Sequence, residues 1–135
     1  IMTPDNKYLM VGIMGSDYVE VIDWRTQKMV KKIKTGIGAH NFRGQGDKRY
    51  VYVSNRVANT ISVVDMTTLE NVGTIKVPGG PDCMEVTADG KTMWATLRWS
   101  KKVAVIDLET RSVTKVIPVG RSPHGIYLYN RAPDL

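Results

Sequence analysis

Two histidines and an aspartate recur at one fixed interval along the chain. His40, Asp82 and His124 lie 42 residues apart, and these two histidines are the only ones in the sequence. Imidazole and carboxylate groups bind transition metals, exchange protons and form hydrogen bonds between strands. If the chain folds as a series of equal units, these three side chains occupy the same place in successive units.

Other residue types keep the same interval of 42 residues, which indicates an internal repeat. The recurring positions include aspartates that close apolar runs (Asp23, Asp65, Asp107), aspartates in turns (Asp5, Asp47, Asp89) and isoleucines within later runs (Ile33, Ile75, Ile117). The runs are short, alternate in polarity and are rich in Val, Ile, Tyr and Thr, which is typical of strands. A period of about 42 with four strands per unit favours a β-propeller blade. A β-solenoid is the alternative, although its rungs are usually shorter.

The predicted fold is an all-β propeller segment of about three four-stranded blades that forms an incomplete ring. Residues 1–135 form one domain with repeat units 5–46, 47–88 and 89–130. Twelve strands are expected, and they span 8–13, 18–23, 29–34, 40–45, 50–55, 60–65, 71–77, 82–87, 92–97, 102–107, 113–119 and 124–129. They divide between blades as three, four, four and one. Such an arc leaves two apolar faces bare. We therefore expect either the remaining blades of a larger ring of six to eight or self-association, in which two copies would make six blades.

The repeat places a group of polar residues at one end of the predicted channel. Antiparallel strands alternate in direction, so the loop entering each inner strand and the loop between the second and third strands share one face. The candidate ligand-binding residues at this channel mouth are His40, Asp82, His124, Asn55, Arg56, Arg98 and Trp99. A polar, cationic and partly aromatic mouth suits a small anionic ligand, a haem-like carboxylate, a metal cluster or a protein partner.

Several interpretations of the two histidines remain open at this stage. They can join strand ends by hydrogen bonds, contact a ligand, or bind a metal, in which case His40 and His124 are the candidate ligands. We expect adjacent blades to hold His40, Asp82 and His124 well apart, which argues against one tetrahedral zinc ion shared by all three. A haem or a copper cluster could span that distance.

No catalytic residue is assigned from the sequence. The chain contains no Gly-x-Ser-x-Gly, His-Glu-x-x-His, Cys-x-x-Cys or phosphate-loop pattern. Glu85 shares a repeat position with Arg43 and Tyr127, and this trio is interpreted as a structural pairing. The recurring aspartates are interpreted as turn residues whose carboxylates accept backbone N–H bonds. The single cysteine, Cys83, has no partner for an internal disulfide and is expected to be a small buried side chain.

The basic net charge of +6 does not predict nucleic-acid binding. Four of the lysines alternate with apolar residues between positions 28 and 34, in the expected outermost strand of a blade. Lysine on an edge strand prevents edge-to-edge aggregation. No run of 18 apolar residues is present, so no membrane span is expected. No signal peptide is visible, and the start at Ile1 in mid-pattern suggests a trimmed or excised segment.

Residues 52–55 (Tyr-Val-Ser-Asn) resemble the motif that names the YVTN family of β-propellers, with degenerate copies at 10–13 and 94–97. Residues 60–65 and 119–126 are also typical of that family. The resemblance implies a non-catalytic binding or scaffold module in the periplasm or at the cell surface. It does not identify an activity, because such propellers host many functions.

A second resemblance supplies the alternative function. Residues 102–124 are similar to the haem-d propeller of periplasmic nitrite reductases. This resemblance implies a redox enzyme domain with haem or copper, and with His40 and His124 at the cofactor. Lactonase-like propellers are similar too, but a hydrolase of that type would need acidic metal ligands, and the sequence shows no such ligand set. No cofactor is assigned from the sequence.

Overall fold

The computed structural model describes residues 1–135 and consists of strands, turns and extended segments. Its eleven strands are β1 (Tyr8–Gly12), β2 (Tyr18–Asp23), β3 (Lys28–Lys34), β4 (Ala39–Gly44), β5 (Tyr50–Asn55), β6 (Thr60–Asp65), β7 (Glu70–Lys76), β8 (Pro81–Val86), β9 (Thr92–Leu97), β10 (Lys102–Asp107) and β11 (Ser112–Pro118). It contains no helix that could span a membrane.

The strands form three antiparallel sheets, each a simple meander. The orders are β1-β2-β3, β4-β5-β6-β7 and β8-β9-β10-β11. This arrangement confirms the predicted all-β fold and the incomplete propeller. The first sheet has no full inner strand, but Ile1–Thr3 lie along β1 in its place. The backbone N–H of Met10 donates to the carbonyl of Ile1 at 2.8 Å, and Met2 pairs with Leu9.

The same turn chemistry recurs in every sheet and explains why the repeat is so regular. The strand-ending aspartate accepts backbone N–H bonds from the following turn, as when Asp65 Oδ1 accepts from Thr67 at 2.8 Å and from Thr68 at 3.3 Å. The residue four positions after each such aspartate has a left-handed backbone, with φ of 57° at Gln27, 56° at Leu69 and 55° at Arg111. These turns fix the register of the outer hairpin, so the aspartates serve structure as predicted.

Two hydrophobic cores lie between the three sheets. The core between the first and second sheets contains Met10, Val19, Val21, Ile33, Ala39, Val51, Val53, Val64 and Met66. The core between the second and third contains Tyr52, Ile61, Val63, Ile75, Val77, Met84, Val86, Met93, Ala95, Leu97, Ala104, Ile106, Leu108 and Ala132. Alternation along each strand sends one set of side chains to the preceding sheet and the other to the following sheet. Every sheet therefore needs an apolar neighbour on both sides.

The first and third sheets each have one face without such a neighbour. On the third sheet, Trp94, Val103, Val105 and Ile117 are only half-buried, while Tyr52, Ile61, Val63 and Ile75 at the same repeat positions of the second sheet are buried. On the first sheet, Leu9, Val11 and Ile22 are half-buried, while their equivalents Val51, Val53 and Val64 are buried. We call these two surfaces the end faces.

The predicted twelfth strand at 124–129 is wrong, because this segment is not a strand in the structure. An inner strand is held by pairing with the second strand of its own sheet, as Phe42 on β4 pairs with Val53 on β5. Residues 1–135 include no such partner strand for 124–129. The C-terminal tail, residues 119–135, instead crosses the inner strands. The Ala132 N–H donates to the Val86 carbonyl at 3.0 Å, and Arg131 pairs with Thr87.

Candidate functional site

A buried carboxylate is the centre of the predicted mouth. Asp82 is the second residue of β8 and has no exposed surface. Its Oδ1 accepts hydrogen bonds from His40 Nε2 at 2.9 Å and from an Arg56 guanidinium nitrogen at 2.6 Å, and its Oδ2 accepts from Arg98 at 3.1 Å. The repeat explains this convergence, because His40 is the second residue of β4 and the two arginines directly follow β5 and β9.

Glycines in the linkers between sheets hold the two arginine loops in place. The backbone N–H of Arg56 donates to the Gly38 carbonyl at 2.9 Å, and that of Arg98 donates to the Gly80 carbonyl at 2.8 Å. Both glycines have left-handed φ angles, 86° and 55°. A Cβ on Gly38 would lie 2.8 Å from the backbone nitrogen of Val57, so a larger residue would displace the loop that carries Arg56.

His124 completes the group, although it comes from the tail and not from a strand. One ligand atom from each of His40, Asp82 and His124 lies within 4.8 Å of the others. The expectation that adjacent blades keep these residues apart is therefore wrong. The reason is that β4 and β8 lie next to each other at the channel, and that the tail turns inward, where Thr96 Oγ1 donates to the His124 carbonyl at 2.8 Å. We call His40, Arg56, Asp82, Arg98 and His124 the mouth cluster.

The surroundings of the mouth cluster determine its protonation. Burial raises the pKa of Asp82, but hydrogen bonds from Arg56 and Arg98 outweigh burial and hold that pKa below its ordinary value. Burial and the neighbouring Arg56 charge lower the pKa of His40, against the opposing effect of Asp82. At neutral pH, Asp82 is therefore ionised and His40 is neutral.

Two of the predicted mouth residues lie outside the hydrogen-bonded group. Asn55 is fully buried, and its Nδ2 donates to Thr60 Oγ1 at 3.1 Å and to Ser62 Oγ at 2.9 Å. Trp99 is exposed on the surface next to Gly80, with 55% of its surface accessible. Two buried atoms of the mouth loop have no hydrogen-bond partner, Asn55 Oδ1 and Arg56 Nε.

Sequence reasoning missed the position of Cys83 beside the mouth. Its Sγ lies 4.0 Å from both ring nitrogens of His124. Burial, with the nearby Asp82 charge, raises the pKa of the thiol, so Cys83 is uncharged at neutral pH. The side chain is half-buried and not fully enclosed.

A second polar group lies further along the same two strands, and we call Arg43, Glu85 and Arg131 the inner cluster. Arg43 on β4 forms a salt bridge with Glu85 on β8, and Arg131 Nη1 lies 3.3 Å from Glu85 Oε2. The interpretation of Arg43 and Glu85 as a structural pair agrees with this geometry. Tyr127 is exposed and is stacked by Arg131 instead of meeting Glu85. Arg131 was missed, because its place depends on the tail and no repeat position indicates it.

A shallow depression of about 440 Å³ connects the two clusters. Its lining residues are Ile1, His40, Asn41, Phe42, Arg43, Gly44 and Asp134. His40 lies on this surface with about a third of its side chain exposed. A ligand at the mouth cluster could therefore extend along the inner strand β4 toward the tail.

Comparisons with known proteins agree with this fold. The chain has a TM-score of 0.78 with a structure of Kuenenia stuttgartiensis hydrazine synthase, at 24% identity over 90% of this chain and 36% of that one. It has a TM-score of 0.73 with the dihydro-heme d1 dehydrogenase NirN in complex with DHE, at 22% identity over 87% of this chain and 26% of that one. The chain thus spans about a third and about a quarter of these two proteins. At this level of identity the likeness shows the fold alone.

Sequence comparisons give one further result. No curated protein sequence matches the chain. A family model described as YNCE-like beta-propeller matches residues 1–134, in agreement with the YVTN-type resemblance. The chain belongs to the YNCE-like β-propeller family.

Proposed function

We propose that this propeller segment is a binding module without catalysis of its own, and that its mouth cluster takes a small anionic ligand such as a carboxylate or phosphate. The observation that carries the proposal is the convergence of Arg56, Arg98 and His40 on the single carboxylate of Asp82. Two permanent positive charges face one negative charge, so the cluster retains a surplus of positive charge. An anion that enters the mouth compensates this surplus.

The free donor capacity of the arginines supports an anionic ligand. Arg56 has a buried Nε without a partner, and the Arg98 side chain is 35% exposed. Guanidinium groups pair with carboxylates and phosphates through two parallel hydrogen bonds. The exposed ring of Trp99 next to this loop offers an apolar surface for the rest of the ligand.

The protonation of the mouth supports binding without catalysis. Asp82 is held ionised by two arginines, so it has no proton to donate at neutral pH. The raised pKa of Cys83 keeps its sulfur in the thiol form, which is the weaker nucleophile. Ser54 is buried, with its Oγ accepting the N–H of Asn41 at 3.0 Å.

Calorimetric titration with inorganic phosphate and with citrate at low salt tests the anion site. We expect Arg98→Gln to weaken binding by about tenfold, since one charge-assisted hydrogen bond is lost. Arg25→Gln is the matched control, because it removes the same charge from an exposed arginine that stacks on Trp24. Equal affinity in the wild-type chain and Arg98→Gln contradicts the proposal.

One observation favours a second candidate, a redox enzyme domain that binds a haem-type cofactor. The exposed imidazole of His124 has a single hydrogen-bonding contact, with Cys83 Sγ at 4.0 Å, and so remains available to an iron. The matched NirN structure is in complex with DHE. Titration with haem, followed by its visible absorption, tests this candidate. It predicts an absorption shift that His124→Ala abolishes, and an unchanged spectrum contradicts it.

We also propose that further blades of the same repeat cover the two end faces. The repeat-equivalent surfaces inside the molecule are packed against each other, so the third-sheet end face is complementary to a first-sheet end face. These blades belong to a longer chain or to a second copy, which would give six blades about a two-fold axis.

Light scattering after gel filtration tests this association for residues 1–135. We expect a mass of twice the 15.1 kDa of one chain or more, because apolar end faces favour association. Val105→Lys places a charge in the middle of the third-sheet end face and should reduce the measured mass to that of one chain. A well-folded monomer of the unmodified chain contradicts the proposal.

The resemblance to YVTN propellers also underlies a proposed location in the periplasm or at the cell surface. Cell fractionation of the full-length protein, followed by detection with an antibody, tests this location. Recovery in the cytoplasmic fraction alone contradicts it.

A further inference from the structure

Three ligand atoms of the mouth cluster already lie close enough together to suggest a metal site. His40 and His124 each offer a ring nitrogen and Asp82 offers a carboxylate oxygen, all within 4.8 Å of one another. We propose that His40, Asp82 and His124 bind one divalent transition-metal ion, of which Zn²⁺ is the reference case. This inference rests on the same mouth as the proposed function and specifies how an anionic ligand is held there.

The distances require only a small adjustment to form such a site. With metal–ligand bonds of about 2.0–2.2 Å, the ligand atoms of a tetrahedral site lie roughly 3.3–3.6 Å apart. His40 Nε2 and Asp82 Oδ1 are 2.9 Å apart on two adjacent strands. Metal binding separates these two atoms by roughly half an ångström and replaces their hydrogen bond, with the ring proton of His40 then carried by Nδ1. The larger movement falls on His124, which is exposed and lies in a tail segment without strand pairing.

The donor set selects the type of ion. Two imidazoles and one carboxylate suit Zn²⁺, Cu²⁺, Ni²⁺ or Fe²⁺ better than Mg²⁺ or Ca²⁺, which prefer oxygen ligands alone. Three protein ligands leave a fourth position open in a tetrahedral ion. Arg98, whose Nη1 lies 3.1 Å from Asp82 Oδ2, would be available to an anion bound at that position. The metal and the arginine would then hold the same anion.

The geometry also defines which side chains belong to the site. Cys83 lies beside it, with its Sγ 4.0 Å from both ring nitrogens of His124. The group whose ligand atoms all lie within 4.8 Å of one another contains His40, Asp82 and His124 but not Cys83. We therefore assign nitrogen and oxygen ligands, without sulfur.

The two arginines oppose the metal, and this opposition makes the site testable. Arg56 and Arg98 donate to the same carboxylate that would bind the ion, and their charges repel a cation. Removal of the Arg98 charge should therefore tighten metal binding and weaken the binding of free anions.

The test is calorimetric titration of the metal-stripped chain with Zn²⁺. We expect one ion per chain, and a loss of affinity of at least tenfold in His124→Ala, since even the loss of an outer-shell partner costs about 10- to 100-fold. The exposed position of His124 makes this variant a safe one for folding. Asp17→Asn, which removes an exposed carboxylate paired with Lys34, is the control and should bind as the wild type does. Equal affinity of His124→Ala and the wild type, or no stoichiometric binding, overturns the inference.

Substitution by Co²⁺ supplies an independent readout of the ligands. Weak visible bands of a four- or five-coordinate ion without an intense sulfur charge-transfer band support the nitrogen and oxygen set. An intense band that Cys83→Ser abolishes overturns that set. The Arg98→Gln variant separates the anion-site proposal from the metal-site proposal. If Arg98→Gln loses phosphate binding and neither the wild type nor the variant binds zinc, the anion site is supported and the metal site is overturned. If the wild type binds zinc but Arg98→Gln binds phosphate as tightly as the wild type does, the metal site is supported and the arginine anion site is overturned.

Discussion

The mouth cluster and the inner cluster are built from the same two strands but have different roles. His40 and Asp82, like Arg43 and Glu85, stand 42 residues apart on β4 and β8, and the second pair follows the first by three residues. Each cluster joins a buried carboxylate to cationic side chains from two or three segments. They differ in what the tail supplies. Its backbone carbonyls cap Arg43 in the inner cluster, whereas at the mouth it supplies the exposed side chain of His124.

In the inner cluster, carbonyl groups of the tail accept the hydrogen bonds of Arg43 that the Glu85 carboxylate does not accept. Arg43 donates to the carbonyls of Gly44 and Pro133 at 3.1 Å and of Ala132 at 2.6 Å, besides its salt bridge with Glu85. The cluster is therefore paired and shielded from solvent. A buried ion pair of this kind is strongly destabilised when one partner is removed.

In the mouth cluster, some donor capacity remains unused. Arg56 Nε has no partner, His40 is about one-third exposed, and His124 is exposed. The comparison shows that the same strand geometry supports stability where backbone carbonyls complete the arrangement. Where they do not, the geometry leaves groups that a ligand or an ion can use.

The largest expected effect comes from breaking the inner cluster. Arg43→Met leaves the buried Glu85 with only the partly exposed Arg131 as a partner and should lower the free energy of unfolding by about 3–5 kcal/mol. Urea unfolding monitored by tryptophan fluorescence measures the change. The double variant Arg43→Met, Glu85→Leu removes both charges and should lose less than the single variant. A loss below about 1 kcal/mol for Arg43→Met would show that the inner cluster contributes no more than a surface ion pair.

A smaller loss is expected at the mouth. Asp82→Asn keeps the shape of the side chain but leaves Arg56, whose side chain is 15% exposed, without a negative partner. The free energy of unfolding should fall by about 1–3 kcal/mol, because solvent can reach part of this cluster. The same urea unfolding measures it, with Asp17→Asn as the control that should change it by less than about 0.5 kcal/mol. A loss equal to that of Arg43→Met would remove the distinction between the clusters.

The mouth cluster should also make the free energy of unfolding depend on pH. The pKa of His40 is lowered from 6.5 on folding, so the unfolded chain binds more protons between the folded pKa and 6.5. The corresponding stability is fully present above pH 6.5 and is lost as pH falls through the folded pKa. In His40→Gln, the free energy of unfolding should depend less on pH between about 7 and 5. If the free energy of unfolding depends on pH equally in His40→Gln and in the wild type, groups other than His40 cause that dependence.

The smallest expected effect is that of Arg131 at the rim of the inner cluster. Its side chain is 35% exposed, and it lies 3.3 Å from Glu85 and 3.2 Å from Asp134. Arg131→Gln should change the free energy of unfolding by less than about 1 kcal/mol, because solvent screens the pair. A larger change in thermal or urea unfolding would mean that this residue anchors the tail.

The predictions from the sequence succeeded where the repeat applies. Turn aspartates, alternating apolar residues and the interval of 42 residues located eleven strands, and five of them, at 18–23, 50–55, 60–65, 92–97 and 102–107, to the residue. The same interval placed His40 and Asp82 at one mouth, although the sequence predicted that the two side chains would lie well apart. The prediction failed for 124–129, where the repeat continues in the sequence but has no strand to pair with.

The sequence by itself determined the fold type, the phase of the repeat and the residue types at the mouth, because strand register and turn chemistry depend on local and periodic patterns. Only the tertiary structure decided that His124 lies beside Asp82, that Arg131 and the tail carbonyls close the inner cluster, and that Asn55 is buried. Hydrogen bonds and charge interactions depend steeply on distances of a few ångströms. Such distances follow from how neighbouring sheets and the tail come together, which a periodic pattern along one chain does not specify.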